Sequence, residues 1–474
     1  MRVFHLSAEC YPVAKVGGLA DVVGALPKYQ NQAGLQAAVV MPFYNRKFTQ
    51  ENAFDIVFRA STLLGTRRLY FEILKESTDK LGVELYLVKI PGLLDREEVY
   101  QYPDETDQFI AFQIAFLDWI NYSQQTPDII HCHDHHSGLV PYLLQHSRLY
   151  TRLSGTPTVL TIHNGQYHGA FSWDKLSYLP EIDMSTAGLL DWGGSINPLA
   201  AAVKCCWRYT TVSPTYLTEL SLQSNGLEYL FYIEGHKGSG IINGIDTEVW
   251  NPKTDAMIPG KFSIKQITAG KKANKEALCS RFGLSPDRPL ISFIGRLVFE
   301  KGADLLAAAM EESFNEHPGQ FNFLLLGAGE KDNERELTEL KNFYSDQCNI
   351  FIGYDESLAH LIYAGSDFLL MPSRVEPCGL NQLYALRYGT CPMVRRTGGL
   401  KDTVVDFGDE GGYGICYNNA SVEDICHSVS RAISLYNNTA HLERLQKLMM
   451  ALDFSWDRSA KEYIRLYESL KPTI

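Results

Sequence analysis

Long apolar runs are missing from this chain. No stretch approaches the roughly 20 consecutive apolar residues that a membrane-spanning helix needs. The opening MRVFHLSAEC has a short apolar run broken by His5 and Glu9, too brief and too polar for a secretory signal. Excess positive charge is missing too: 43 Lys and Arg stand against 55 Asp and Glu, a formal net charge of −12. That balance argues against a nucleic-acid partner, whose binding needs a basic face to displace counterions, and disfavours an anionic membrane surface. Any phosphate-bearing ligand must be held by a few local positive groups and backbone amides. The ten cysteines include no CxxC pair, and adjacent Cys205 and Cys206 are badly placed to bridge each other. Reduced thiols in a cytoplasmic compartment are expected, with the sequons at Asn121 and Asn437 as chance matches.

What is present is globular material in quantity. The 474 residues are 45% hydrophobic and 21% charged, too long for one ordinary core and suited to two domains. Short β-branched or apolar runs end in polar or turn residues: RVFHLSAE, QAAVVMPFY, ELYLVKI, DIIHCHD, TVLTIHN and RYTTVSP. Helical stretches such as LADVVGALPKYQNQAG and DETDQFIAFQIAFLDWINYS lie between them. The alternation predicts a parallel sheet with helices on both faces. Ser213-Pro214 reads as an N-cap followed by proline at the first helical position.

The pattern breaks at HKGSGIINGIDTEVWNPKT, rich in Gly, Asn and Pro, and restarts with PLISFIGRL, FNFLLLGAGE, NIFIGY, DFLLMPS and CPMVRRTGG. The expected division is residues 1–243, then 244–454, with an amphipathic C-terminal helix in 455–474 whose docking the pattern leaves open between the two domains. Ligands of open α/β sheets sit outside the carboxyl ends of strands, so the informative residues belong at strand-to-helix junctions.

One motif occurs twice. Lys15 precedes Gly17-Gly18-Leu19-x-Asp21-x-Val23, and Arg396 precedes Gly398-Gly399-Leu400-x-Asp402-x-Val404. Paired glycines let a ligand approach the backbone, and a helix starting near Leu19 aims N–H groups and its positive dipole end at that spot. A facing pair of ligand cradles, one per domain, is the expectation; a simple turn with a surface lysine is the plainer alternative.

Three further clusters carry chemistry. In FIGRLVFEKGADLL, Arg296 and Lys301 follow a strand and precede a helix, suiting a diphosphate that must be neutralised as it leaves, against two solvated basic residues. In MPSRVEPCGLNQLYAL, Glu376 can accept hydrogen bonds from sugar hydroxyls, and Cys378-Gly379-Leu380 is expected to begin a helix whose amides meet an anion. Cys378 is expected to be a small buried residue rather than a nucleophile, since the sequence suggests no His or Asn to activate it. IIHCHDHHSGL suggests zinc at first sight, but no second ligand cluster stands out, and hydrogen bonding to a polyol fits better. TIHNGQYHG brings His163 and Asn164 to another strand end. LLLGAGEKDN has Gly327 and Gly329 but Asp332 where a dinucleotide fingerprint places its third glycine.

Together these motifs resemble the bacterial and plant glycogen/starch synthases, retaining glucosyltransferases with two Rossmann-like domains facing across a deep cleft (GT-B). The resemblance rests on KVGGLADVVGALPK, HDHH, TIHN, VSPTY, INGID, GRL with EKG, PSRVEPCGL and TGGLKDTV, and spans almost the whole chain. It implies ADP-glucose as donor, an α-1,4-glucan as acceptor, and no metal or cofactor. It implies that Lys15, Gly17 and Gly18 belong to the donor-sugar and acceptor side. Arg296 and Lys301 would hold the diphosphate, and Tyr354 would stack on adenine. Glu376 would bind the transferred glucose, with Cys378–Leu380 and Thr397-Gly398-Gly399 completing its pocket. His163 would lie beside the anomeric carbon, and Asp21, Asp134 and Asn164 would touch the acceptor. TIHNGQYHGAF and GLEYLFYIEGHKGSG depart from the family's usual wording on the expected acceptor side.

Retention would follow from front-face attack assisted by the leaving phosphate, or from double displacement with Glu376 as nucleophile. Rival readings are a UDP-glucose-dependent synthase, a pyridoxal-phosphate glucan phosphorylase, a nucleotide-sugar epimerase and an inactive glucan-binding scaffold. An NAD dehydrogenase fails on the missing third glycine.

Overall fold

The computed structural model describes residues 1–123 and 125–470, and the end of the expected C-terminal segment, 471–474, lies outside the described residues. The chain divides into two compact units: Met1–Gly244 together with the stretch from Trp456, and Ile245–Ser455.

The first unit holds β1 (Arg2–Leu6), β2 (Gln36–Pro42), β3 (Phe54–Leu64), β4 (Arg67–Glu76), β5 (Glu84–Lys89), β6 (Ile129–His133) and β7 (Thr158–Ile162). A small antiparallel ribbon, β8 (Asp191–Trp192) and β9 (Ser195–Ile196), precedes β10 (Arg208–Thr211) and β11 (Gly238–Gly240). The nine-stranded sheet runs β11-β10-β7-β6-β1-β2-β5-β4-β3. It is parallel from β11 to β5, while β4 and β3 add an antiparallel edge. The expected parallel sheet is present, and this antiparallel edge is added to it. Residues 54–64 are largely outward-facing, and β4 buries Leu69, Phe71 and Ile73 in alternation, so neither strand shows the continuous apolar run of a strand buried on both faces.

The second unit holds β12 (Leu290–Ile294), β13 (Asn322–Gly327), β14 (Cys348–Ile352), β15 (Phe368–Met371), β16 (Cys391–Arg395) and β17 (Ile415–Tyr417). All are parallel, in the order β14-β13-β12-β15-β16-β17. Counted within the unit this is 3-2-1-4-5-6, the doubly wound order; β5-β2-β1-β6-β7-β10 repeats it in the first unit. The order reverses between β1 and β6 and between β12 and β15. Ligand sites of such sheets lie at these reversals, and the loops there carry Lys15, Asp134, Arg296, Lys301 and Glu376.

The helix Gly18–Gln32 ends before Gly34, whose φ of 94° takes the chain back toward β2. Ser213 caps Pro214–Leu220, accepting from the Tyr216 amide. The last helix, Trp456–Glu468, buries Trp456, Ala460, Tyr463 and Tyr467 against Val3, Val22, Leu26 and Ile129, so it belongs to the first unit's core. All ten cysteines are buried. Among the described residues no helix is long and apolar enough to cross a membrane.

Candidate active site

In the second unit, two loops are sewn together at the reversal of strand order. Gly302, at φ 69°, turns the chain after Lys301 so closely against Pro372 that a Cβ would overlap the proline carbonyl. The amides of Arg374 and Val375 donate to the Glu300 carbonyl at 2.8 and 3.2 Å. Arg374 grips both oxygens of Asp304 at 2.6 and 2.8 Å, and lies over the Phe299 ring. Arg395 donates to the carbonyls of Ser373 and Arg374. This scaffold brings the Lys301 ammonium to 2.7 Å from each oxygen of Glu376, while Ser373 Oγ donates to the second oxygen at 2.8 Å. Glu376 is buried, with 8% of its side chain exposed against 24% for Lys301. A carboxylate so deep is tolerable because an ammonium and a hydroxyl satisfy it.

Arg296 does not join that pair. Its side chain is 64% exposed and its guanidinium lies 3.7 Å from Glu300. Its loop is nevertheless fixed: Leu297 donates to the Ala328 carbonyl at 2.9 Å and accepts from the Glu330 amide at 2.8 Å. Gly327 and Gly329 are glycines because a Cβ on either would overlap the carbonyls of Gly295 and Leu297. The partial dinucleotide fingerprint is thus a packing device beneath the Arg296 loop. Tyr354, 82% exposed, projects after Gly353 at the end of β14.

The helix after Glu376 is Asn381–Arg387, so it starts beyond the segment 378–380 in which it was expected. Cys378 is buried and its carbonyl accepts from Gln382 Nε2 at 2.9 Å; Gly379 takes φ 71°; Leu380 caps the helix and packs on the core. Thr397, in extended conformation, immediately precedes the short helix Gly398–Thr403. Gly398 and Gly399 press on the turn that carries Glu376, the Gly399 amide donating to the Glu376 carbonyl at 3.1 Å. Arg396 lies 3.4 Å from both Asp409 and Asn418.

The first glycine pair behaves differently. Nothing stands within 4 Å of a Cβ built on Gly17 or Gly18, and Gly17 is extended at φ −138°. Lys15 pairs with Asp21 at 2.7 Å, both side chains partly exposed. The free amides expected in this loop are not all free. Glu9, buried at the end of β1, accepts from the Val16 and Gly17 amides at 2.5 and 2.8 Å, and its other oxygen accepts from the Tyr100 hydroxyl at 2.7 Å. The two copies are therefore not equivalent cradles: one is open at its glycines, the other is closed against its neighbour.

At the end of β6, Asp134 takes φ 54° and its buried carboxylate accepts from the His163 amide at 2.7 Å and the Asn164 amide at 3.5 Å. Burial pushes its carboxyl up to about 7 despite those two bonds. Asn164 Oδ1 accepts from the Gln166 amide, so this strand end is tied internally.

The histidines of the first unit lie in a buried line. His163 Nε2 is 2.9 Å from His133 Nδ1, and His133 Nε2 is 3.0 Å from His5 Nδ1. His5 Nε2 is 2.8 Å from Gln30 Oε1, and Gln30 Nε2 donates to the Tyr467 hydroxyl at 3.1 Å. His131 bridges Tyr467 and Thr161 at 2.6 Å each. His5, His131 and His133 have nitrogens within 4.8 Å of one another, the spacing of a metal site, yet all six of their ring nitrogens are engaged in these hydrogen bonds. The polyol contact expected of His131 and His133 is likewise replaced by protein partners. Burial holds all four rings neutral, His5 down to about 4, His163 down to about 3, and His131 and His133 well below the ordinary range.

Sequence reasoning passed over Glu9, Ser373, His5, Gln30 and Tyr467. A carboxylate closing an apolar strand was a visible signal for Glu9. His5 pairs in register with His131 across β1 and β6, and Tyr467 is 336 residues from His131; neither relation has a local signature.

Comparison with known proteins gives a consistent result. Residues 2–232 match the family model described as starch synthase catalytic domain, and residues 274–447 match glycosyl transferases group 1. A glycogen synthase of Flavobacterium johnsoniae is 55% identical over 467 residues, covering 98% of each chain. One from Thermodesulfovibrio yellowstonii is 38% identical, covering 99% of this chain and 98% of its own. Among solved structures, the catalytic domain of starch synthase IV from Arabidopsis thaliana, bound to ADP and acarbose, superposes with a TM-score of 0.88 at 31% identity over 99% of both chains. Sucrose-phosphate synthase from Thermosynechococcus elongatus, 16% identical, covers 99% of this chain and 98% of its own at a TM-score of 0.62 and shares the fold.

Proposed function

The chain belongs to the glycogen and starch synthase family and is a glycosyltransferase, and from that premise we propose that it transfers glucose from ADP-glucose to the non-reducing 4-hydroxyl of an α-1,4-glucan with retention. The observation that carries the reading is the Lys301–Glu376 pair with the Arg296 loop beside it in the same unit. A sugar diphosphate needs positive charge where its leaving group accumulates charge, and hydrogen-bond acceptors where the sugar hydroxyls lie. The ADP and acarbose bound by the Arabidopsis relative support a nucleotide on one side of the reaction and a glucan-like ligand on the other.

In this proposal the second unit takes the donor. Lys301 and Arg296 receive the charge of the departing diphosphate, Tyr354 stacks on adenine, and Glu376 accepts from the hydroxyls of the transferred glucose. Cys378, Gly379, Leu380, Thr397, Gly398 and Gly399 shape that pocket through their backbone. The first unit supplies the acceptor side: Lys15, Gly17, Gly18 and Asp21 from one loop, and His163 and Asn164 from another, held by Asp134.

As the glucosyl–phosphate bond stretches, the sugar becomes oxocarbenium-like and the acceptor 4-hydroxyl attacks from the same face, giving its proton to the leaving phosphate. Double displacement through Glu376 is the weaker reading. Both its oxygens are bound to an ammonium and one also to Ser373, which lowers the nucleophilicity of the carboxylate. The test is incubation with glycogen and radiolabelled ADP-glucose or UDP-glucose in parallel. Label should enter the polymer from ADP-glucose; faster incorporation from UDP-glucose, or none from either, overturns the donor assignment or the activity.

A further inference from the structure

The histidine line is polarised, and the polarity reaches the candidate site. Gln30 presents Oε1 to His5 and Nε2 to the Tyr467 hydroxyl. An amide oxygen only accepts, so His5 must carry its proton on Nε2 and offer a lone pair at Nδ1. His133 must then donate from Nε2 to His5 and accept at Nδ1, where the donor among the described residues is Nε2–H of His163. Along the other branch, Tyr467 gives its hydroxyl proton to His131 Nδ1, and His131 donates from Nε2 to Thr161. Every ring adopts the same tautomer, and each bond fixes the next. Turning the Gln30 amide over would reverse all of them, placing the proton on Nδ1 of every ring.

We propose that His133, His5 and Gln30, anchored by Tyr467, act as positioning residues that lock His163 as the Nε2–H tautomer and so present its Nδ1 as an unprotonated acceptor for a sugar hydroxyl. Nδ1 of His163 is the one ring nitrogen of these four histidines without a protein partner among the described residues. The line can transmit this choice because it is buried: His5, Gln30, His131 and His133 are 0% exposed, and water is not at hand to satisfy a wrongly placed proton. The low proton affinity of these rings keeps them from escaping the constraint by taking a second proton. The final helix, which supplies Tyr467, thereby bears on a strand end that it does not itself form.

The proposal rests on the synthase reading for the identity of the hydroxyl, but its first test does not. Neutron diffraction from crystals of the perdeuterated full-length chain should show deuterium on Nε2 of His163, His133 and His5 and none on their Nδ1 atoms. Deuterium on Nδ1 of His163 overturns the proposal, whatever the enzyme's substrates. The second test is kinetic. His5→Phe leaves His133 Nε2–H without an acceptor and favours reversal, so kcat should fall about tenfold or more with little change in KM for the donor. His5→Asn puts a carbonyl oxygen near the place of Nδ1 and should recover most of the turnover. Equal losses in the two variants with unchanged circular dichroism and Tm, or full turnover in His5→Phe, overturn the positioning role.

Discussion

A side chain on Gly398 would overlap the carbonyl oxygen of Glu376, and one on Gly399 would overlap that of Cys378. Gly398 also takes φ 43°, a backbone conformation that costs any other residue. The second glycine pair is therefore part of the support beneath Glu376. Gly398→Ala should destabilise the protein by about 3 kcal/mol, adding strain to overpacking. Gly17→Ala and Gly18→Ala meet open space at ordinary φ and should leave Tm nearly unchanged while weakening glucan or donor binding. Thermal unfolding of the three variants beside their KM values checks the contrast; equal destabilisation at both loops would show that the open pair also has a packing duty.

How much of this was legible in the sequence depends on distance along the chain. Lys301, Glu376 and the glycine pairs stand in short motifs at strand ends, and strand ends are readable from apolar runs. The equivalence of the two KxGG-like loops was a sound inference from wording that the backbone does not honour, because φ and close contacts are set by neighbours such as Cys378. The β3–β4 hairpin escaped because β3 is largely exposed and β4 alternates, burying Leu69, Phe71 and Ile73 between exposed or half-buried neighbours rather than forming a continuous apolar run. The histidine line escaped because it is made by register and by a helix that returns to the first unit only after Ser455.

Lys301→Ala removes the ammonium that touches both oxygens of Glu376 and leaves the Ser373 hydroxyl bonded to that buried carboxylate. Loss of the leaving-group contact should cost about 2–4 kcal/mol in the transition state, roughly thirtyfold to a thousandfold in kcat. Glu376→Gln keeps an acceptor for sugar hydroxyls but gives up the ion pair, so it should retain measurable transfer with a raised KM for the donor. A covalent glucosyl-enzyme trapped at position 376 would instead establish double displacement.

Arg296 is exposed and only loosely paired, so Arg296→Ala should leave the unfolding midpoint unchanged within error. Its loop is held by backbone bonds to Ala328 and Glu330 that the substitution does not touch. The whole effect should fall on the reaction, again about 2–4 kcal/mol if the guanidinium meets the diphosphate. Wild-type turnover in Arg296→Ala would remove it from the leaving-group role and leave Lys301 alone there.

Glu9 ties three donors together, the amides of Val16 and Gly17 and the Tyr100 hydroxyl. Glu9→Ala should lower stability by about 1–3 kcal/mol and free the Lys15 loop. Hydrogen exchange at residues 15–18 should accelerate while exchange in β6 and β7 stays slow. Unchanged exchange in the loop would mean that Lys15–Asp21 alone holds it.

Stability should fall as pH drops from about 7.5 to 5.5. His5, His131, His133 and His163 have folded-state pKa values below the unfolded value near 6.5, so below that pH the unfolded chain binds protons that the folded chain refuses. Each contributes stability that is present above the unfolded pKa and is lost as pH falls toward the folded one, about 1.4 kcal/mol per unit. Asp134 works the other way: its folded pKa of about 7 lies above the unfolded 3.8, so the folded state gains as pH falls through 7. His135 and His136 are held down by burial as well, so the lowered histidines outnumber Asp134 and give a net loss on acidification across this window. Urea unfolding at the two pH values measures it, and His131→Gln, which removes one titrating ring, should reduce the loss by about 1.4 kcal/mol. A midpoint that rises on acidification would mean that the histidine line takes up protons in the folded state.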